Sequence, residues 1–249
     1  MKKNYRSLIL MLTFLTRIPF PMSFEFNKED YARGIFYFPV IGALIGGLLL
    51  PLILIQSYVP ERIFPFISII LYVCIVGGIH IDGIGDLFDG IFSARDQKRM
   101  LEIMSDSHIG AFGVVGMILY FLGMYVGLLE VAQLEEFALI LFCMPLVGRS
   151  IALISAGFSR YAKDDGLGKA VVDRVKPKDA IVIAIFLVGI CVWFAPMIGL
   201  SVGMTLMLML FITWRIHRIL DGITGDVLGA LVEISQVIFV IVTSILIRI

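Results

Sequence analysis

The chain has 249 residues, of which 59% are hydrophobic and 16% charged, with a mean hydropathy of +1.00. An average soluble domain carries about 25% charged residues, so a disordered chain, a coiled coil and an ordinary water-soluble enzyme are excluded, and lipid is the expected solvent. Lys plus Arg and Asp plus Glu number 20 each, a net charge of zero that implies no nucleic-acid partner.

In chain order, the first apolar stretch, residues 7–16, is about half the length that a ~30 Å hydrocarbon layer requires. Its basic start suits a signal peptide, but the small residues of a cleavage site are missing, and Arg17, Pro19 and Pro21 follow. It is read as an uncleaved interfacial helix. Seven continuous apolar runs come next, at residues 35–58, 63–79, 111–130, 137–157, 179–198, 203–220 and 227–247. Continuous rather than alternating hydrophobicity predicts helices, not a barrel. The fold class is therefore an all-α integral membrane protein with about seven transmembrane helices, read as one domain over residues 1–249. Cys74, Cys143 and Cys191 sit in apolar runs without metal-ligand spacing and are expected to pack as small hydrophobes. Gly42 with Gly46, Gly123 with Gly127 and Gly199 with Gly203 are expected to permit close helix contact within the chain; the number of associating copies, a homo-oligomer included, stays open.

With the N-terminus placed in the cytoplasm, seventeen of the twenty basic residues fall in inner segments. Arg62 and Arg248 alone fall outside, and Arg149 lies within a span. The bias predicts an N-in, C-out topology.

The densest polar signal is GGIHIDGIGDLFDGIFSAR, residues 77–95. Asp82, Asp86 and Asp89 recur at i, i+4 and i+7, on one helical face. Stacked carboxylates repel, and near lipid they also lose water. A divalent cation removes both penalties, and aspartate oxygens suit Mg²⁺ held together with substrate phosphates. A solvated acidic face is the plainer alternative. Zinc is disfavoured, because only His80 is near. Downstream, Arg95 is expected to neutralise developing charge, while Lys98 and Arg99 also serve as inner-side anchors. Asp106 is expected to complete the metal shell. His80 and His108 each stand two residues from an Asp, as hydrogen-bonded neighbours or proton carriers.

The inner loop at residues 157–177 carries five basic residues, read either as topology alone or as an anion-binding lid. Lys169 there closes GLGK, only a fragment of a phosphate-binding loop. The last polar island, residues 215–236, places Asp226 and Glu233 on one face of the final span. Glu233 should face inward and pair, with Arg149 as its candidate partner; a structural pair and a substrate role are equally compatible with the sequence.

The run at residues 77–113 resembles the signature of the cobalamin synthase family, adenosylcobinamide-GDP ribazoletransferases. FLTRIPFP, YARGIFYFPVIGALIG, RYAKDDGLG and the late GITGDVLGA–E element resemble it in the same order, from about residue 12 to residue 236. His108 stands where the resemblance leads us to expect Arg or Lys, and Leu87 and Phe88 replace smaller residues. The resemblance implies a multi-pass enzyme of a bacterial or archaeal cytoplasmic membrane, with its active site facing the cytoplasm. It further implies Mg²⁺-dependent joining of adenosylcobinamide-GDP to α-ribazole or its 5′-phosphate, with release of GMP. On this reading Asp82, Asp86, Asp89 and Asp106 hold metal, His80, Asp82 and Arg95 act in catalysis, and Arg149, Lys169, Asp226 and Glu233 contact substrate.

Four rivals compete with this reading. Asp86-Leu-Phe-Asp89-Gly90 followed by Ala94-Arg95 approaches the pattern of CDP-alcohol phosphotransferases, but with three residues between Gly90 and Ala94 where two are expected. A membrane prenyltransferase would need a second acidic cluster better than Asp221 with Asp226. A cation transporter lined by the acids would need a chain reaching the outer side, and a scaffold protein would tolerate loss of the acids.

Overall fold

The structure, a computed structural model, describes residues 2–20 and 26–248; Pro21 and the side chains of Lys2 and Lys3 fall outside the described set. Helix α1 (Lys2–Leu15) buries Ile9, Met11 and Leu15, and Met11 packs over Gly34 of α2 (Lys28–Gly34). Asn27 caps α2 by accepting from the backbone N–H groups of Glu29 and Asp30. The chain continues through a 3₁₀ turn (Ile35–Tyr37), α3 (Phe38–Leu49), α4 (Leu52–Ile55) and a second turn (Gln56–Tyr58). Together these make one apolar rod, Lys28–Tyr58, longer than the 35–58 run expected.

The second apolar run behaves differently from a plain span. Helix α5 (Phe64–Val76) has 13 residues, about 20 Å. The helix stops because Gly77 takes φ +71°, a left-handed value that a side chain would resist. Helix α6 (Ile79–Phe92) then departs at 99° to α5. Arg17 braces the bend: its backbone N–H donates to the Ile75 carbonyl at 2.7 Å, and its side chain lies over Gly77.

Six further helices complete the fold among the described residues before the last: α7 (Gln97–Ile103), α8 (Ala111–Val131), α9 (Phe137–Gly157), α10 (Leu167–Arg174), α11 (Pro177–Phe194) and α12 (Pro196–Leu220); α13 (Gly225–Leu246) ends it. Among the described residues six stretches are long and apolar enough to cross a membrane, and the bent α5–α6 pair makes a seventh if it counts as one span. The α11–α12 break falls at Ala195–Pro196, earlier than the expected gap between residues 198 and 203. Ala195 is extended, and Pro196, lacking an N–H, starts a new first turn at no hydrogen-bond cost.

Helices α9 and α13 form the centre, buried over 78% and 67% of their most apolar windows, whereas α11, at 17%, lies on the rim. Small residues set the packing. A side chain at Gly42 or Gly46 would strike the α9 backbone at Pro145 or Phe142, and Gly123 and Gly127 receive Val237 and Val240 of α13. Gly199 packs on Val192, while Gly203 meets no neighbour. Cys143 and Cys191 are buried and Cys74 is exposed, all three as free thiols.

The connections sort to two ends. At one end Lys163 Nζ donates to Ser105 Oγ at 2.8 Å, Gln97 Nε2 donates to the Leu220 carbonyl at 2.9 Å, and Tyr161 bridges to Ile223. At the other, the Tyr125 hydroxyl donates to the Arg62 carbonyl at 2.8 Å, Gln56 reaches the Ala132 carbonyl, and Arg248 pairs with Glu130. This alternation is the one seven crossings require.

Candidate active site

The acidic residues lie on α6 where it crosses α13. At the crossing the two backbones nearly touch: a Cβ on Gly83 would lie 2.5 Å from the Asp226 carbonyl oxygen, and one on Gly229 would lie 3.2 Å from His80 Cα. Only glycine fits Gly83, and it sits between Asp82 and Asp86 in helical position. The sequence spacing holds in space, with Asp82 exposed and Asp86 and Asp89 half-buried along one face. Asp86 is within electrostatic reach of Asp82, Asp226, Lys163 and Asp89.

Asp89 has a second role. Its carboxylate accepts from the backbone N–H groups of Gly110 at 2.7 Å and Gly113 at 2.9 Å. Those are unpaired donors at the start of α8, whose own N-cap residue, Gly110, has no side chain. An acid thus supplies the cap from another helix, favoured by the positive end of the helix dipole. Each carboxylate oxygen keeps a further lone pair for a cation.

The loop before α10 closes over the crossing. Ala162 N–H donates to Ile223 O and Ile223 N–H to Arg160 O, both at 2.9 Å, and Arg160 pairs with Asp221. This clasp sets Lys163 Nζ 3.8 Å from Asp226 Oδ2, while the Thr224 hydroxyl lies 3.3 Å from the same oxygen. The neighbouring Tyr161 phenol is pushed up by burial and by the charge of Asp226. Lys163 belongs to the site, although the sequence marks it only as one of five basic loop residues; the compact RYAKDD tract is the signal that could have singled it out.

Two spaces lie along α6, one toward each end. A half-open cavity of about 340 Å³ is lined by Phe14, Tyr31, Phe38, His80, Lys163 and Asp226, among others. An open polar basin of about 830 Å³ runs past Asp89, Arg95, Lys98, Arg99, Asp106 and His108. Asp106 is fully exposed there; the His108 imidazole, with Nδ1 2.6 Å from its Oδ1, holds its carboxyl below the usual carboxylate range. Arg95 is exposed on the basin rim. Lys169, in contrast, turns away to donate to the Asp164 carbonyl at 2.7 Å.

Arg149 and Glu233 are both fully buried, but no ion pair within 4 Å joins them, contrary to the pairing expected from sequence. Glu233 is instead caged by hydroxyls and an amide. Tyr72 donates at 2.8 Å, Tyr120 at 2.7 Å and Gln236 Nε2 at 3.1 Å. His80 Nδ1 stands 3.8 Å from Glu233 Oε1, tying this cage to the cavity wall. Arg149 has one long bond, 3.4 Å to the Pro145 carbonyl, and its Nε and Nη2 have no hydrogen-bond partner. The apolar neighbourhood of the late span hides which polar groups meet, so the partners Tyr72 and Tyr120 were missed.

Among the described residues no three His, Cys, Asp or Glu side chains are close enough to cage a metal by themselves. The donor set is nonetheless all-carboxylate on an accessible face. That fits an ion which keeps waters and takes substrate phosphate oxygens, as Mg²⁺ does, and does not fit a closed zinc site.

Comparison with known proteins follows the same lines. A family model described as CobS, cobalamin-5-phosphate synthase, matches residues 7–244. A protein of Alkaliphilus oremlandii named adenosylcobinamide-GDP ribazoletransferase is 39% identical, covering 95% of this chain and 96% of its own. Proteins of the same name from Acetivibrio thermocellus and Desulfitobacterium hafniense are 37% and 35% identical, each covering 96% of this chain and 97% and 96% of their own. No solved structure gives a significant match.

Proposed function

The chain belongs to the CobS family, the cobalamin-5-phosphate synthases, and from that membership we propose that it transfers adenosylcobinamide phosphate from adenosylcobinamide-GDP to α-ribazole or α-ribazole 5′-phosphate. A ribose hydroxyl oxygen bonds to the phosphorus nearer the cobinamide. The bond from that phosphorus to the bridging oxygen breaks, and GMP leaves with that oxygen. The observation that carries the reading is the row Asp82–Asp86 beside Asp226 and Lys163, with a half-open cavity toward one end of α6 and an open polar basin toward the other.

Asp82, Asp86 and Asp89 would hold Mg²⁺, with Asp106 on the basin side. The ion would supply Lewis-acid polarisation of the diphosphate and neutralise its charge. The protein's own groups do the rest. Arg95, with Lys98 and Arg99 along the basin, binds the anionic donor and offsets charge on the departing GMP. Lys163, fixed by Asp226 and Ser105, holds a second positive charge at the junction. His80, on the cavity wall, takes the hydroxyl proton. Arg149 and Glu233 support this wall from behind.

The excess of Lys and Arg at the site end supports a cytoplasmic location for that end, a cytoplasmic membrane for the chain and an inside N-terminus as parts of this proposal. The test is the purified chain in liposomes with adenosylcobinamide-GDP, α-ribazole and Mg²⁺. GMP and a corrinoid carrying the ribazole are the expected products by mass spectrometry. Release of CMP or pyrophosphate from the corresponding rival substrates, or cation flux without group transfer, would replace this reading by a rival.

A further inference from the structure

Helix α6 separates two spaces of different character. The open basin is wide, wet and rimmed by Arg95, Lys98 and Arg99, as a guanosine diphosphate ester requires. The cavity on the other side is smaller, about 340 Å³, and half-open. That lies within the range of small-molecule pockets, and the basin, at about 830 Å³, is the roomier of the two for a corrin ring with its peripheral amides. Its outer wall is aromatic: Phe14 of α1 meets Tyr31 of α2 edge-on, with centroids 5.5 Å apart, and Phe38 begins α3 beside them. Its inner end is polar, with His80, Lys163 and Asp226. A flat heteroaromatic base prefers such aromatic walls, and a sugar prefers the polar end.

Resting on the transferase reading above, we propose that this cavity is the acceptor subsite, with the benzimidazole-type base of α-ribazole against Phe14, Tyr31 and Phe38 and its ribose toward Lys163 and Asp226. The donor then enters from the basin, and the two substrates meet over Asp82 and Asp86. The assignment gives the opening helix a role in choosing the acceptor. Leu167, 46% exposed, lines the cavity as well and is accessible from outside.

The test uses the full chain in detergent with α-ribazole as probe, followed by equilibrium dialysis and by GMP release. Phe14→Ala removes a wall, and Leu167→Trp narrows the cavity from a half-exposed position where folding is not at stake. In both, α-ribazole binding should weaken and its KM rise about tenfold, while the KM for adenosylcobinamide-GDP stays within about twofold. The proposal is overturned if the wild-type chain does not bind α-ribazole, if the donor KM moves instead, or if neither constant changes in Leu167→Trp. A phospholipid held in the cavity and not displaced by α-ribazole, seen by native mass spectrometry, would also overturn it. Binding is read without turnover, so a wild-type chain that binds α-ribazole but releases no GMP supports the subsite and removes the transferase reading. Turnover with an unchanged α-ribazole KM in both variants removes the subsite alone.

Discussion

The carboxylate of Asp89 accepts the backbone N–H of Gly110 at 2.7 Å, so an acid of the proposed metal row also caps a transmembrane helix whose N-cap lies 21 residues later. The three aspartates should therefore separate by experiment. Asp89→Ala should lower stability by about 1–2 kcal/mol, the usual cost of a lost cap, and Asp89→Asn, which keeps one acceptor oxygen, by less. Asp82→Asn and Asp86→Asn should leave the thermal midpoint in detergent unchanged while GMP release falls about a hundredfold or more. Equal losses of midpoint in all three would contradict the division of roles.

Metal dependence gives the second prediction. Chelation with EDTA should abolish GMP release, and Mg²⁺ or Mn²⁺ should restore it, because both ions accept carboxylate, water and phosphate oxygens. Asp86→Asn should need more Mg²⁺ for half-maximal rate than the unaltered chain. Full activity in EDTA would falsify the metal assignment.

The contact of Gly83 with Asp226 is a third handle. Gly83→Ala places a methyl group 2.5 Å from the Asp226 carbonyl oxygen, and α6 has to move off α13. Overpacking of this kind costs about 1–3 kcal/mol. Because the shift also separates Asp86 from Asp226 and Lys163, turnover should fall further than stability alone accounts for. Gly78→Ala, where a Cβ meets nothing, is the control; matched losses in the two variants would count against the crossing.

The fourth concerns the buried cage. Glu233→Ala leaves Arg149 uncompensated and strips the Tyr72 and Tyr120 hydroxyls of their acceptor. Breaking a buried ionic arrangement from one side costs about 3–5 kcal/mol. Replacing both, as in Arg149→Met with Glu233→Ala, should recover much of that. The thermal midpoints of the two single variants and the double form the measurement, and simple additivity would show that the two charges are not coupled.

The spans were legible because hydropathy acts over some twenty residues at a time. The acidic row was legible because i, i+4 and i+7 spacing survives any helix orientation. What the sequence hid depends on contacts between distant segments. The 99° turn hangs on two glycines at the end of a run that reads as a span, and Asp89's partners lie on a helix whose start has no capping side chain. Phe14, Tyr31 and Phe38 carry no mark of a site in the sequence, because they come together only where α1, α2 and α3 pack around one cavity. Glu233's partners were missed for a different reason: charge complementarity suggested Arg149, whereas two tyrosines and a glutamine reached the carboxylate first.

Because α5 gives way to α6 at nearly a right angle, the aspartates are turned aside from the line of the apolar helix that leads into them. They come to rest between α8 and α13 like a shelf held by two posts, one gripping it at Gly110 and the other pressed against it at Gly83.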